Sequence, residues 1–101
     1  MIELKKNHKM KKAKQNDRRL ENLIKQVRPL LQQNQTKRAL KKLEKILSLS
    51  PSHLDALVWS AEILRDIGNT EQSEKLFDKA IELDDRFLRA IHGRALLRYS
   101  L

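Results

Sequence analysis

Catalytic chemistry in a chain of this size would have to rest on its histidines, carboxylates and glycines, and their spacing arranges none of them for it. His8, His53 and His92 are scattered, with no i, i+4 partner able to help hold a metal. Gly68 and Gly93 are the only glycines, so no glycine-rich loop cradles a phosphate. Glu62 and Asp66 lie one helical turn apart, a spacing common on a wet helix face, and Asp84-Asp85 reads as a helix end followed by a cap. The chain has no cysteine, which removes disulfides and thiolate metal sites. The residues point to no enzyme, no metal and no cofactor.

Charge is the stronger signal. The net charge of +9 is unevenly spread over the 101 residues. Residues 1–19 carry eight Lys/Arg against Glu3 and Asp17, and residues 20–50 carry seven against Glu21 and Glu44. Residues 51–101 reverse the sign, with seven cations against nine acids. Lys37, Lys41 and Lys45 follow one another at i, i+4 with Arg38 and Lys42 beside them, which makes a cationic stripe on one helix. Such a stripe is either a solvated face or an anion-contacting patch. Residues 1–16 allow a similar pair of readings. They form a solvated basic arm, or a frayed extension of the next helix, or they contact phosphates through Lys5, Lys6, Lys9, Lys11, Lys12 and Lys14. No aromatic residue interleaves these lysines, so nothing supports base stacking.

These residues need elements to position them, and periodicity supplies helices. Leu54, Leu57, Ala61 and Leu64 share one helical face, and Leu76, Phe77, Ala80, Ile81 and Leu83 share a second after Gly68-Asn69. Gly68 suits the left-handed residue that ends a helix, and Asn69 and Thr70 suit the cap of the next. Ser52 and Asp55 suggest a capping box for the first helix. The pattern recurs at an offset of 34: Leu20 with Leu54, Leu23 with Leu57, Leu30 with Leu64, Asn34 with Gly68, Ala39 with Ser73 and Leu43 with Phe77. It continues in Leu88, Ile91 and Ala95.

A two-helix repeat of this period, carried by Leu57, Ala61, Leu64, Gly68, Phe77 and Ala80, resembles the tetratricopeptide repeat family from about Leu20 to Leu101. Leucines at 23 and 57 replace the family's large aromatic, Ser73 replaces an alanine, and Pro29 falls inside the first helix. The resemblance implies an all-α fold in which antiparallel helix pairs stack as a right-handed superhelical solenoid. A basic arm over 1–16 would precede a repeat domain over 17–101. Repeat 1 would span about 20–53, repeat 2 about 54–87, and a terminal helix 88–101. In the family, leading helices line a concave groove, which here implies Ile24, Lys25, Arg28, Trp59, Glu62, Arg65, Arg89 and His92 as partner-contacting positions. Ile24 and Arg28 stand where a carboxylate clamp would want lysine and asparagine, so binding of a chaperone tail is not implied.

The expected function is therefore a protein-interaction or scaffolding module whose partner is another protein or peptide, an acidic one suiting the basic half. The alternatives are nucleic-acid binding, of RNA above all, through that basic half, or the N-terminal adaptor region of a longer enzyme. A third leading helix, about Asp85–Tyr99, is expected to pack on the second repeat through Leu88, Ile91 and Ala95. Phe87, Leu96, Leu97, Tyr99 and Leu101 would then be left as a surface for self-association. No apolar run approaches a membrane span of roughly 20 residues and no signal-peptide core is present, so the default expectation is cytoplasmic.

Overall fold

A computed structural model describes the backbone of residues 2–99 and the side chains of residues 15–99. The arm lysines at 5–14 and Leu101 therefore lie outside the described side chains. Five helices follow one another: α1 (Ile2–Gln32), α2 (Thr36–Leu49), α3 (Leu54–Asp66), α4 (Thr70–Leu83) and α5 (Leu88–Tyr99). The leading helix of the first repeat is continuous from Ile2, so residues 2–16 extend it. Residues 2–16 contain no proline or glycine, and their six lysines, with Glu3, Leu4, Met10, Ala13 and Gln15, are good helix formers. Pro29 is accommodated within the last turns of α1, where its carbonyl still accepts from Gln33 N at 3.0 Å.

Each leading helix turns into its returning helix by the same device. Asn34 (φ 57°) and Gly68 (φ 90°) occupy the left-handed region. The amides that follow them close the wider loop, Gln35 N to Leu30 O and Asn69 N to Leu64 O, both at 2.8 Å. Asn34 N and Gly68 N bond Leu31 O and Arg65 O at 3.2 and 3.1 Å, which completes two Schellman motifs. Asn69 takes the N-cap position of α4, but its side chain bonds Gln72 and not the helix backbone. The α2–α3 turn corrects the expected capping box. His53 is the N-cap, and its Nδ1 accepts from Ala56 N at 3.0 Å.

Packing follows the two-faced character of each leading helix. On α3, Leu57, Val58 and Ala61 join Phe77 and Ala80 of α4 in one core cluster. Ala56, Trp59 and Ile63 join Val27, Ala39, Leu43 and Ile46 of the first repeat in another. Ser73, buried at the α3–α4 contact, donates its hydroxyl to Ala61 O at 2.6 Å, so the serine at the family's alanine position ties the two helices together.

The expected face of α5 is corrected by the same logic. Ala90, Gly93 and Leu97 are the buried residues, while Leu88 is 76% exposed and Ala95 is exposed. Counting back 34 residues, Ala90, Gly93 and Leu97 match Ala56, Trp59 and Ile63, the face turned toward the preceding repeat. Leu88, Ile91 and Ala95 match the face that α3 turns toward its own returning helix. Leu97, at 0% exposure, belongs to the core and not to a surface for self-association.

Candidate functional site

Two sets of polar side chains stand out, one on the leading helices and one on the first helix pair. The first forms where α3 and α5 stack. Arg89 at the start of α5 reaches Glu62 on α3, Nη2 to Oε1 at 2.8 Å, and its guanidinium lies 6.0 Å from the centre of the Trp59 ring. The ion pair is close, but its N–H direction is off-line, so Glu62 Oε1 gains charge contact without a directed hydrogen bond. Trp59 itself is only 7% exposed, with its ring in the core shared with the first repeat. What a partner would meet at this junction is mainly Arg89, 49% exposed and held from two sides.

The remaining predicted groove positions are not gathered into this cluster. Ile24 is half-buried and packs against the first core cluster. Arg65 pairs with its neighbour Asp66 at 3.3 Å. Lys25, Arg28 and His92 are exposed and make no ion pair among the described residues. The repeat offset places Arg28 and Asp55 at the register of Glu62 and Arg89 with the charges exchanged. That pair is not closed. No Cα atoms of α1 and α3 approach within 8 Å, whereas those of α3 and α5 do.

The second set lies on α1 and α2. Where these helices pack antiparallel, a groove of about 440 Å³ is edged by Arg19, Asn22 and Gln26 of α1 and Lys42, Lys45 and Ser48 of α2, with Leu23 and Leu49 also lining it. A second concavity, of about 630 Å³, lies against α2 beside Arg38, Lys41, Lys42 and Lys45, with Glu44 its only acid. Lys37, also predicted for this patch, is exposed but edges neither. All five ion pairs of the described residues fall between Glu62 and Arg98, so these α2 cations have no carboxylate neutralising them. Sequence reasoning missed the α1 edge of the groove. Its signal is the polar stripe Arg19, Asn22 and Gln26 at i, i+3 and i+7, one face of the helix.

Alternating leading and returning helices, stacked at a constant 34-residue period with charged clusters on their surfaces, define a helical-repeat module of the kind that binds other proteins. The tetratricopeptide repeat family model matches residues 30–97, and the chain belongs to that family. No curated protein matches it. Repeats of this family serve in general as non-catalytic interaction or scaffold modules. None of the described helices is long and apolar enough to cross a membrane.

Proposed function

We propose that the chain holds a partner polypeptide across the face formed by α1, α3 and α5, with Arg28 and Lys25 receiving its carboxylates. One observation carries this reading. At the second junction Glu62 and Arg89 form an ion pair, but at the first the equivalent charges, Arg28 and Asp55, remain exposed and make no ion pair among the described residues. An exposed arginine offers five donors in a fixed fork, which suits a carboxylate. Arg89, already committed to Glu62 and Trp59, borders the site and is not its anchor.

The test is selection from a displayed random-peptide library against the 101-residue chain, followed by affinity measurements on variants. Selected peptides should be acidic, and Arg28→Ala should weaken them about tenfold, a loss of roughly 1.4 kcal/mol. Arg89→Ala should do less. Peptides that ignore Arg28→Ala and crosslink to α2 or α4 would refute the reading.

A second reading rests on the unneutralised cations of α2 and the groove they share with Arg19. There the chain would bind a polyanion such as RNA by phosphate contacts alone. Affinity for a mixed-sequence oligonucleotide should then fall steeply with salt and lose one counterion's worth of slope per cation removed. A shallow salt dependence unchanged by Lys42→Ala with Lys45→Ala would discard it.

A further inference from the structure

We propose that the groove between α1 and α2 seats an unpaired nucleotide of single-stranded RNA, its phosphates on the cationic rim and its base edge and ribose on the neutral polar groups. This rests on the second reading above and adds contacts that are not to phosphate. The first repeat departs from the second in the residues that edge this space. At the 34-residue offset Asn22, Gln26 and Lys42 stand where the second repeat has Ala56, Ser60 and Leu76. Ala56 and Ser60 are buried and Leu76 is half-buried, whereas Asn22 and Gln26 are exposed. A helix packed on the groove would bury Arg19, Lys42 and Lys45, none of which has an ion-pair partner among the described residues. Those residue types suit a wet, anionic ligand and not a further packed helix.

The rim and the interior of the groove ask for different chemistry. Arg19, Lys42 and Lys45 offer positive charge and donors only, which suits phosphate. Residues 1–50 carry fifteen cations against four acids. The field around the groove therefore favours a polymer charged at every unit over a peptide with scattered carboxylates. Between the cations the groove presents acceptors. The Ser48 hydroxyl already donates to Lys45 O at 2.7 Å, so it offers the groove its oxygen lone pairs. The Asn22 and Gln26 amides make no hydrogen bond among the described residues, and each carries an acceptor beside its donors. A phosphodiester has no proton to give these oxygens, but a base amino group and a ribose 2′-hydroxyl do. Leu23 and Leu49 line the same space and give the nucleotide an apolar surface, although no aromatic ring is there for stacking. A base within a duplex stays stacked and paired, whereas one in an RNA loop or end is free to enter.

The probes are a labelled mixed-sequence RNA of about 12 nucleotides, the DNA of the same sequence, and the RNA annealed to its complement. Each is titrated with the full chain by fluorescence anisotropy over a range of salt. The single-stranded RNA should bind several-fold more tightly than the DNA and the duplex. Asn22→Ala with Gln26→Ala should weaken it several-fold at an unchanged salt slope, because neither side chain is charged. Lys42→Ala with Lys45→Ala should instead reduce the slope by about 1.4, the share of two phosphate contacts on a single strand. Ser48→Ala removes the acceptor for the 2′-hydroxyl and should bring the RNA down towards the DNA. Asn22, Gln26 and Ser48 are exposed, so circular dichroism should not change in those variants. The proposal is overturned if the three probes bind alike, or if the amide pair leaves affinity unchanged. A slope that still falls in the lysine variant would then leave phosphate contact standing as the whole of the binding. No binding of any probe overturns both. Displacement of the RNA by poly-glutamate at equal charge concentration would make the ligand an acidic polypeptide and overturn the proposal equally.

Discussion

The two junctions between repeats solve the same packing problem with the bulk on opposite sides. At the first, the leading helix α3 supplies the large side chain, Trp59, and the returning helix α2 supplies Leu43. At the second the repeat offset puts Gly93 where Trp59 was and Phe77 where Leu43 was. A Cβ placed on Gly93 would come within 2.6 Å of Phe77 Cζ, so the ring occupies the space that the glycine leaves. The spacing of the leading helices follows. With Trp59 wedged between them, α1 and α3 stay apart in backbone and leave Arg28 and Asp55 open; with Gly93, α5 closes on α3 and Arg89 reaches Glu62. A volume choice in the core thus goes with whether a surface charge pair closes or stays open.

The largest effect expected from breaking this comparison is at Trp59. Truncation to alanine removes a side chain that is 7% exposed in the core of the first junction, and large aromatic-to-alanine changes in cores cost roughly 3–5 kcal/mol. Trp59→Ala should therefore lower the thermal midpoint more than a substitution at Gly93, Gly68 or Ser73. A shift worth less than about 1 kcal/mol would show that Trp59 does not hold the junction.

Next comes the mirror substitution. Gly93→Ala pushes a methyl into the Phe77 ring, and overpacking of this kind costs roughly 1–3 kcal/mol. Phe77→Leu installs the residue of the first junction and should recover part of that loss in the double variant. Urea unfolding of all four proteins gives the coupling, and additive effects would mean that ring and glycine do not share the space.

The two turns permit a smaller test. Gly68 has φ 90°, and a Cβ added there would meet nothing within 4 Å, so Gly68→Val should cost only the backbone strain, about 1–2 kcal/mol. Asn34, at φ 57°, already tolerates that region, and Asn34→Gly should be near neutral by the same unfolding assay. Comparable losses at both sites would mean that the side chains and not the left-handed backbone set the cost.

The period, the turns and the helix pairs were legible because each leaves a local mark: an offset of 34, a residue tolerant of positive φ, an apolar stripe. The packing face of α5 was not. Leu88, Ile91 and Ala95 form the more apolar stripe, and periodicity selects the most apolar face. Ala90 and Gly93 are buried on the opposite choice of face, where Gly93 is small enough to meet Phe77. Of the junction cluster, the family resemblance picks out Trp59, Glu62 and Arg89 one by one, but their meeting depends on how closely α3 and α5 stack, where the buried Gly93 lies against Phe77. The His53 cap is hidden because an imidazole nitrogen accepting from a backbone amide looks, in sequence, like any loop histidine.

The smallest expected effect concerns Ser73 and its counterpart Ala39. Both are fully buried on the returning helix facing the leading one, so the first repeat shows that the position works without a hydroxyl. In the second, the hydroxyl donates to Ala61 O at 2.6 Å. Ala61 lies within α3, where its carbonyl also belongs to the helical ladder, so losing Ser73 leaves no acceptor stranded. Ser73→Ala should accordingly cost about 1 kcal/mol or less, near the net worth of one hydrogen bond. The reciprocal Ala39→Ser asks whether the two pairs share a geometry, since Val27 O stands at the register of Ala61 O. A gain or no change would place that carbonyl within reach of the new hydroxyl. A loss of roughly 1–3 kcal/mol would mean that the hydroxyl is buried without a partner, and that α1 and α2 are spaced differently from α3 and α4.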